Sequence, residues 1–223
     1  MRFVDAVERL RTLPAVLPAS PEVLIPVLVE SGDRRPVPSL DPELVRPAAV
    51  LVLVVPDTEG EARVVLIERA TYDGHHSGEV AFPGGSQDPA DDDPVATALR
   101  EATEEVGLDV GACDLRVVGL LDPFWIPVSG FRVTPVLAVA ERRPRLTPDP
   151  HEVARVIEAP LAAFLPGAEI QMVERTIRDW PIRYGAYPVG DLLVWGATAR
   201  ILGRRSGSSP QHPDRAHRSF CHE

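Results

Sequence analysis

The sequence predicts one α/β domain, a three-layer α/β/α sandwich around a mixed β-sheet. Three observations carry this expectation. Short β-branched runs recur across residues 46–203, two principal amphipathic helices interrupt them, and no internal repeat points to a solenoid.

Taken in order, residues 1–45 begin with a helical stretch at 4–13 and then turn proline-rich with few periodic signals. They read as a partly ordered amino-terminal arm. Residues 47–55 and 63–68 are apolar, β-branched runs separated by the turn cluster Pro56-Asp57-Thr58-Glu59-Gly60, the pattern of a hairpin. The glycine-bearing stretch 72–85 is a long loop, expected where a ligand approaches. A helix follows, with Asp93 as N-cap, Pro94 as its first residue and Gly107 as its stop. Residues 115–121 and 133–139 read as strands, and 152–157 as a strand running into a turn. Residues 160–165 form a helical turn and 191–202 a closing helix, with Trp195 a core anchor. Residues 204–223 are rich in Ser, Gly, Pro, His and Arg without periodicity, the composition of a disordered tail.

Composition narrows the function. A chain of 223 residues with 44% hydrophobic content can bury one core of ordinary size. The longest apolar run, 48–55, has the length of a strand and not of a membrane span, and the amino terminus lacks the apolar region of a secretion signal. Cys113 and Cys221 show no pairing or metal-ligand spacing, so a reducing, cytoplasmic setting is expected and cysteine catalysis is not. The formal net charge of −10 argues against nucleic-acid binding. All 23 basic residues are arginine, which removes Schiff-base chemistry and a phosphate-loop lysine.

The informative segment is the predicted helix. At about 100° per residue, Glu101, Glu104 and Glu105 fall on one side, at i, i+3 and i+4. Like charges so spaced repel by roughly 0.2–0.5 kcal/mol per pair. A solvated acidic face is the competing account. Against it, Val95, Ala98, Leu99, Ala102 and Val106 form an apolar stripe whose edge Glu101 and Glu105 flank, so both carboxylates sit where the helix meets the domain. Clustered hard oxygen donors suit Mg²⁺ or Mn²⁺. The main chain at Gly84 or Gly85 can approach the same cation, since glycine has no side chain to hold it away. Arg69, at the end of a strand, is a candidate for contact with substrate phosphate, as are His75 and His76. Glu104 and Glu152 are candidates for the general base.

The run from Gly85 through Asp91 to Arg100-Glu101-Ala102-Thr103-Glu104-Glu105-Val106-Gly107-Leu108 resembles the Nudix box. Two departures are visible: Asp91 stands where the box has Glu, and eight residues instead of seven separate it from Arg100. The extra residue falls near Asp93-Pro94, ahead of the helical glutamates. Sequence around the box is similar to the coenzyme A pyrophosphatase branch of that family. It includes Val65-Leu66-Ile67-Glu68-Arg69-Ala70, His76, Gly78, Phe82-Pro83-Gly84-Gly85, Ser129-Gly130-Phe131-Arg132-Val133-Thr134-Pro135, Glu152-Val153, Pro160-Leu161 and Val194-Trp195-Gly196-Ala197-Thr198-Ala199-Arg200-Ile201-Leu202. Gly74 replaces that branch's usual Arg, and Ile67 its usual Thr. The resemblance implies the Nudix fold. It also implies hydrolysis of coenzyme A or acyl-CoA to 3′,5′-ADP and (acyl-)4′-phosphopantetheine, with Glu101, Glu104 and Glu105 on the metal and Arg100 orienting a glutamate through an ion pair. Another nucleoside diphosphate derivative (ADP-ribose or a dinucleotide) is the alternative substrate. A non-catalytic nucleotide-sensing domain is a further alternative, disfavoured because all three glutamates are present.

Overall fold

The computed structural model describes residues 1–13, 17–34, 45–70, 79–126, 130–177 and 179–204. Along the chain run α1 (Phe3–Arg11), β1 (Val27–Leu28), β2 (Arg46–Pro56), β3 (Ala62–Arg69), β4 (Val80–Ala81), β5 (Gly84–Ser86) and α2 (Pro94–Val106). They are followed by β6 (Leu115–Leu120), β7 (Phe124–Ile126), β8 (Phe131–Ala140), β9 (Val153–Pro160), β10 (Gln171–Ile177), β11 (Trp180–Val189), β12 (Leu192–Val194) and α3 (Gly196–Leu202).

The main sheet is mixed, as expected. Its order is β4-β3-β2-β8-β6, with β5 joined to β2, β7 to β8 and β9 to β3. Strand β2 lies parallel to β8 over nine residue pairs, and its other ladders are antiparallel. One edge of β2 is divided. Val54–Pro56 pairs with β3, while Ala48, Ala49 and Val50 pair with Ser86, Gly85 and Gly84 of β5. Past Val64 the β2-side edge of β3 passes to β4, at Ile67 and Glu68, while β9 runs along the other edge of β3, and β5 fills the fork. That divergence brings Gly84 and Gly85 to the middle of the sheet.

Helix α2 covers one face. Its buried Ala98, Ala102 and Val106 pack against Leu51, Leu53, Val55, Val65 and Ile67, and Val95 and Leu99 close the flank of the same core. Hydrophobic burial of this kind contributes on the order of 1.5–3 kcal/mol per large side chain. The helix is terminated as its sequence predicts: the Asp93 side chain accepts from Ala96 N, Pro94 is the first residue, and Gly107 takes a left-handed φ of 62°.

The opposite face carries α1 and α3, the third layer of the expected sandwich, together with a smaller sheet. Helix α1 seats Phe3, Ala6 and Val7 on Val54, Ala62 and Val139. The remainder is covered by a smaller sheet, ordered β1-β11-β10 with β12 on β11, and by α3, whose Ala199 and Ile201 join Val52, Leu66, Leu137 and Tyr187. The hairpin β10–β11 escapes a reading of periodicity because β10 is largely exposed, with only Val173 and Ile177 half-buried in it, so no apolar alternation marks it. Residues 191–202 divide into a strand and a helix. Trp195 is extended, Gly196 has φ 63°, and only Gly196–Leu202 is helical. Trp195 stacks on Tyr184 with ring centroids 4.7 Å apart.

Candidate active site

The site forms where α2 meets the β2 fork. Glu105 is 1% exposed although it is a carboxylate, and it stands among the apolar side chains beneath α2. The Gly84 N–H donates to its Oε2 at 2.8 Å, and Arg69 Nη1 lies 3.6 Å from its Oε1. Burial pushes its pKa up to about 7, against the Gly84 hydrogen bond and the Arg69 charge, with Glu101 and Glu152 adding repulsion. Glu101, one helical turn earlier, is 16% exposed. Desolvation raises its pKa as well, opposed by Arg100 and helped by the charges of Glu104 and Glu152.

The glycines make this arrangement possible. A Cβ on Gly84 would stand 2.3 Å from the Ala49 carbonyl oxygen, and its φ of 148° is one that side-chain-bearing residues rarely adopt. A Cβ on Gly85 would stand 2.6 Å from the Glu101 carboxylate. Strand β5 therefore lies flush against the acidic edge of α2, with main chain and carboxylates in one space.

Arg100 organises the outer side. Its Nε and Nη2 grip both oxygens of Asp91, at 3.1 and 3.0 Å, while Nη2 also reaches Glu101 Oε1 and the Ser86 carbonyl at 3.0 Å each. Nη1 holds Glu104 Oε2 at 2.9 Å. The bidentate pair is thus made with Asp91, and Glu101 receives one nitrogen. Asp91 is 7% exposed, and the Arg100 hydrogen bonds hold its pKa at about 2. Glu104 is 58% exposed and turns toward solvent with Arg100.

Of the residues singled out from sequence, Glu101, Glu105, Arg69, Gly84 and Gly85 are brought together, with Arg100 bracing them. Glu104 stays at the rim. Glu152 is exposed on the opposite lip, close enough to influence both buried glutamates, and its carbonyl accepts from Ala70 N at 2.8 Å. A register shift between β3 and β9 at Glu68/Arg69 sets Arg69 opposite Val153 and turns it to the site. His75, His76, Gly74 and Gly78 lie outside the described residues. The anchoring role of Asp91 and the bulge beside Arg69 were not anticipated. Asp91 carried a signal, being the acid at the variant position of the box, whereas the bulge carried none.

Among the described residues, no three His, Cys, Asp or Glu side chains converge into a ready-made metal cage. The donor chemistry nevertheless fits a hard cation. A buried and a half-buried carboxylate a turn apart have few donors among the described residues, and Mg²⁺ is ordinarily held by one or two carboxylates, with water and substrate phosphate completing its shell. Glu101 and Glu105 are the residues that would hold it.

Comparison with known proteins gives the family. Residues 45–179 match the family model described as NUDIX domain. The chain is 37% identical over 186 residues to "Nudix hydrolase 15, mitochondrial" of Arabidopsis thaliana, covering 78% of this chain and 63% of that protein. It is 38% identical over 186 residues to "Nudix hydrolase 22, chloroplastic" of the same plant, covering 78% and 60%. The matched region thus spans less than two thirds of either plant protein. Identity to "Uncharacterized Nudix hydrolase NudL" of Salmonella newport is 37% over 162 residues, covering 70% of this chain and 79% of that protein. Among solved structures, a Nudix hydrolase from M. smegmatis, RenU, is 27% identical with a TM-score of 0.46, covering 61% of this chain and 80% of that one. With its box on a capped helix and the match over residues 45–179, the chain belongs to the NUDIX domain family.

Proposed function

We propose that this protein is a divalent-metal-dependent diphosphatase that cleaves coenzyme A or an acyl-CoA between its two bridged phosphates. The products are 3′,5′-ADP and 4′-phosphopantetheine or its acyl form. The observation that carries hydrolysis is the withdrawal of Glu105, and in part of Glu101, from water with few donors among the described residues. Mg²⁺ or Mn²⁺ held by Glu101 and Glu105, with Glu104 engaged through water and the main chain at Gly84 or Gly85 beside them, would neutralise the diphosphate oxygens and acidify the attacking water. Arg69 adds positive charge where the substrate phosphates lie, a role His76 shares. Arg100, locked on Asp91, fixes the Glu101 carboxylate. Glu152 takes the proton of the water as its oxygen bonds to phosphorus, and the bridging oxygen departs with the other phosphate. Glu104 is the second candidate for that base.

The coenzyme A assignment rests on the sequence features flanking the box, from Phe82-Pro83-Gly84-Gly85 to Trp195-Gly196-Ala197-Thr198. Gly74, in place of that branch's arginine, favours a second reading in which ADP-ribose or a dinucleotide is the substrate. Product identification with coenzyme A, acyl-CoAs, ADP-ribose, NADH and dinucleotides separates the two, and coenzyme A as the poorest substrate would reject the first. We place the reaction in the cytoplasm, in keeping with the free, buried Cys113. Among the described residues no helix is long and apolar enough to cross a membrane.

A further inference from the structure

On the opposite face of the sheet, α3 gathers positive charge that the reaction above does not use. The Arg200 guanidinium lies over the Phe124 ring, 4.3 Å from its centroid. Its Nε is buried without a hydrogen-bond partner, and among the described residues no carboxylate pairs with it. Arg204 follows one turn later and, among the described residues, pairs with Asp122 alone, at 3.5 Å. Desolvation lowers the Arg200 pKa, and repulsion from Arg34 and Arg204 adds to it. Among the described residues these three guanidiniums thus share one loosely held carboxylate, in a chain of net charge −10. Self-repulsion of this kind is costly, and half-buried cations are ordinarily matched by a partner. Stacking on Phe124 fixes the plane of Arg200, and with Nε buried it is the terminal Nη pair that remains for phosphate oxygens.

We propose that Arg34, Arg200 and Arg204, with Arg200 laid over Phe124, form a second anion site that takes a phosphate monoester. Its place is fixed by the sheet register. Ser86 pairs with Ala48, Ala48 with Val133, and Val133 with Phe124. The site therefore stands three strand spacings, roughly 14 Å, from the β5 strand that borders Glu101. That separation removes it from the phosphates undergoing cleavage. The ligand is either a phosphate at the far end of the substrate or that of a separate effector.

Binding is read on the full chain, free of metal, in chelator-containing buffer, by titrating inorganic phosphate calorimetrically. The site predicts saturable binding that weakens tenfold or more in Arg200→Gln and severalfold in Arg34→Gln, and that is unchanged in Glu105→Gln. Arg34 is exposed, so its variant keeps the test valid if Arg200→Gln proves unstable. Absence of saturable binding, or binding insensitive to both arginine variants, overturns the proposal, as does binding lost only in Glu105→Gln. The source follows from kinetics. A KM raised in Arg34→Gln for coenzyme A and not for its 3′-dephospho form identifies the substrate's own phosphate. An unchanged KM for both, with phosphate binding weakened, identifies an effector. Because the binding arm needs neither metal nor turnover, it can fail while the hydrolytic reading stands, and the reverse.

Discussion

Two acidic clusters in this protein place carboxylates under opposite conditions. In the turn between β2 and β3, Asp57 accepts from Glu59 N at 2.9 Å, from Glu61 N at 2.8 Å and from Arg63 Nε at 2.8 Å, and its pKa falls to about 2. Beneath α2, Glu105 has one N–H at 2.8 Å and a guanidinium at 3.6 Å, and its pKa rises to about 7. The first carboxylate is saturated by its own chain and holds a turn together. The second is withdrawn from water and left short of donors, which leaves its charge for something that is not protein. Satisfaction of the carboxylate, more than the number of acids nearby, separates the structural cluster from the candidate site.

The comparison can be broken most directly at Glu105. Glu105→Gln keeps the Gly84 hydrogen bond and removes the charge. Turnover should fall by roughly 10²–10³-fold, the scale seen when one pre-organised electrostatic contact is lost, while the melting temperature holds or rises. Initial rates at saturating Mg²⁺ together with thermal melts decide it, and retained turnover would remove Glu105 from the reaction. The same melts extend to the metal: millimolar Mg²⁺ should raise the wild-type midpoint and leave Glu105→Gln unmoved, because a ligand bound to the native state stabilises it.

Next in size is the contrast between neighbouring glycines. Gly84→Ala sets a Cβ against the Ala49 carbonyl at an unfavourable φ and should destabilise by roughly 3 kcal/mol in denaturant unfolding. Gly85→Ala meets only the end of a flexible side chain. It should leave stability nearly intact while displacing Glu101 and cutting turnover by about tenfold or more. Equal stability loss in both would argue that the contact with Glu101 is merely structural.

Glu104→Gln is expected to cost less than tenfold in rate, because that carboxylate is exposed and its partner is the Arg100 surface edge. A loss as large as that of Glu105→Gln would move Glu104 into direct contact with the metal.

The smallest effect belongs to the saturated cluster. Asp57→Asn should lower the melting temperature at neutral pH without altering the rate. Because the folded pKa of about 2 lies below the ordinary 3.8, this stabilisation is complete above pH 4 and disappears as pH falls through 2. The gap between wild type and variant should therefore close across that window. A gap independent of pH would assign the effect to geometry and not to charge.

Much of this was legible in the chain. The capped helix 94–106, the apolar stripe and the stop at Gly107 are local matters, set by dihedral preference and a 3.6-residue period, and they appear where the sequence places them. The same period put Glu101 and Glu105 at the edge of the buried stripe. It could not distinguish Glu104, which shares their side of the wheel yet faces solvent, because that depends on what packs against α2. Nor could it show Arg100 clasped on Asp91 across the loop, or Arg69 turned inward by the bulge at Glu68/Arg69.

The sequence by itself thus determined the helix, its caps, the central strands and the identity of the acidic side chains, since each follows from contacts within a few residues. Tertiary structure alone decided which acids are starved of donors. The fork at β2 brings β5 under α2, excludes water from Glu105, and sets Gly84 and Gly85 against carboxylates sixteen to twenty-one residues away. Desolvation is a property of everything that surrounds a group, and no local pattern in the chain encodes it.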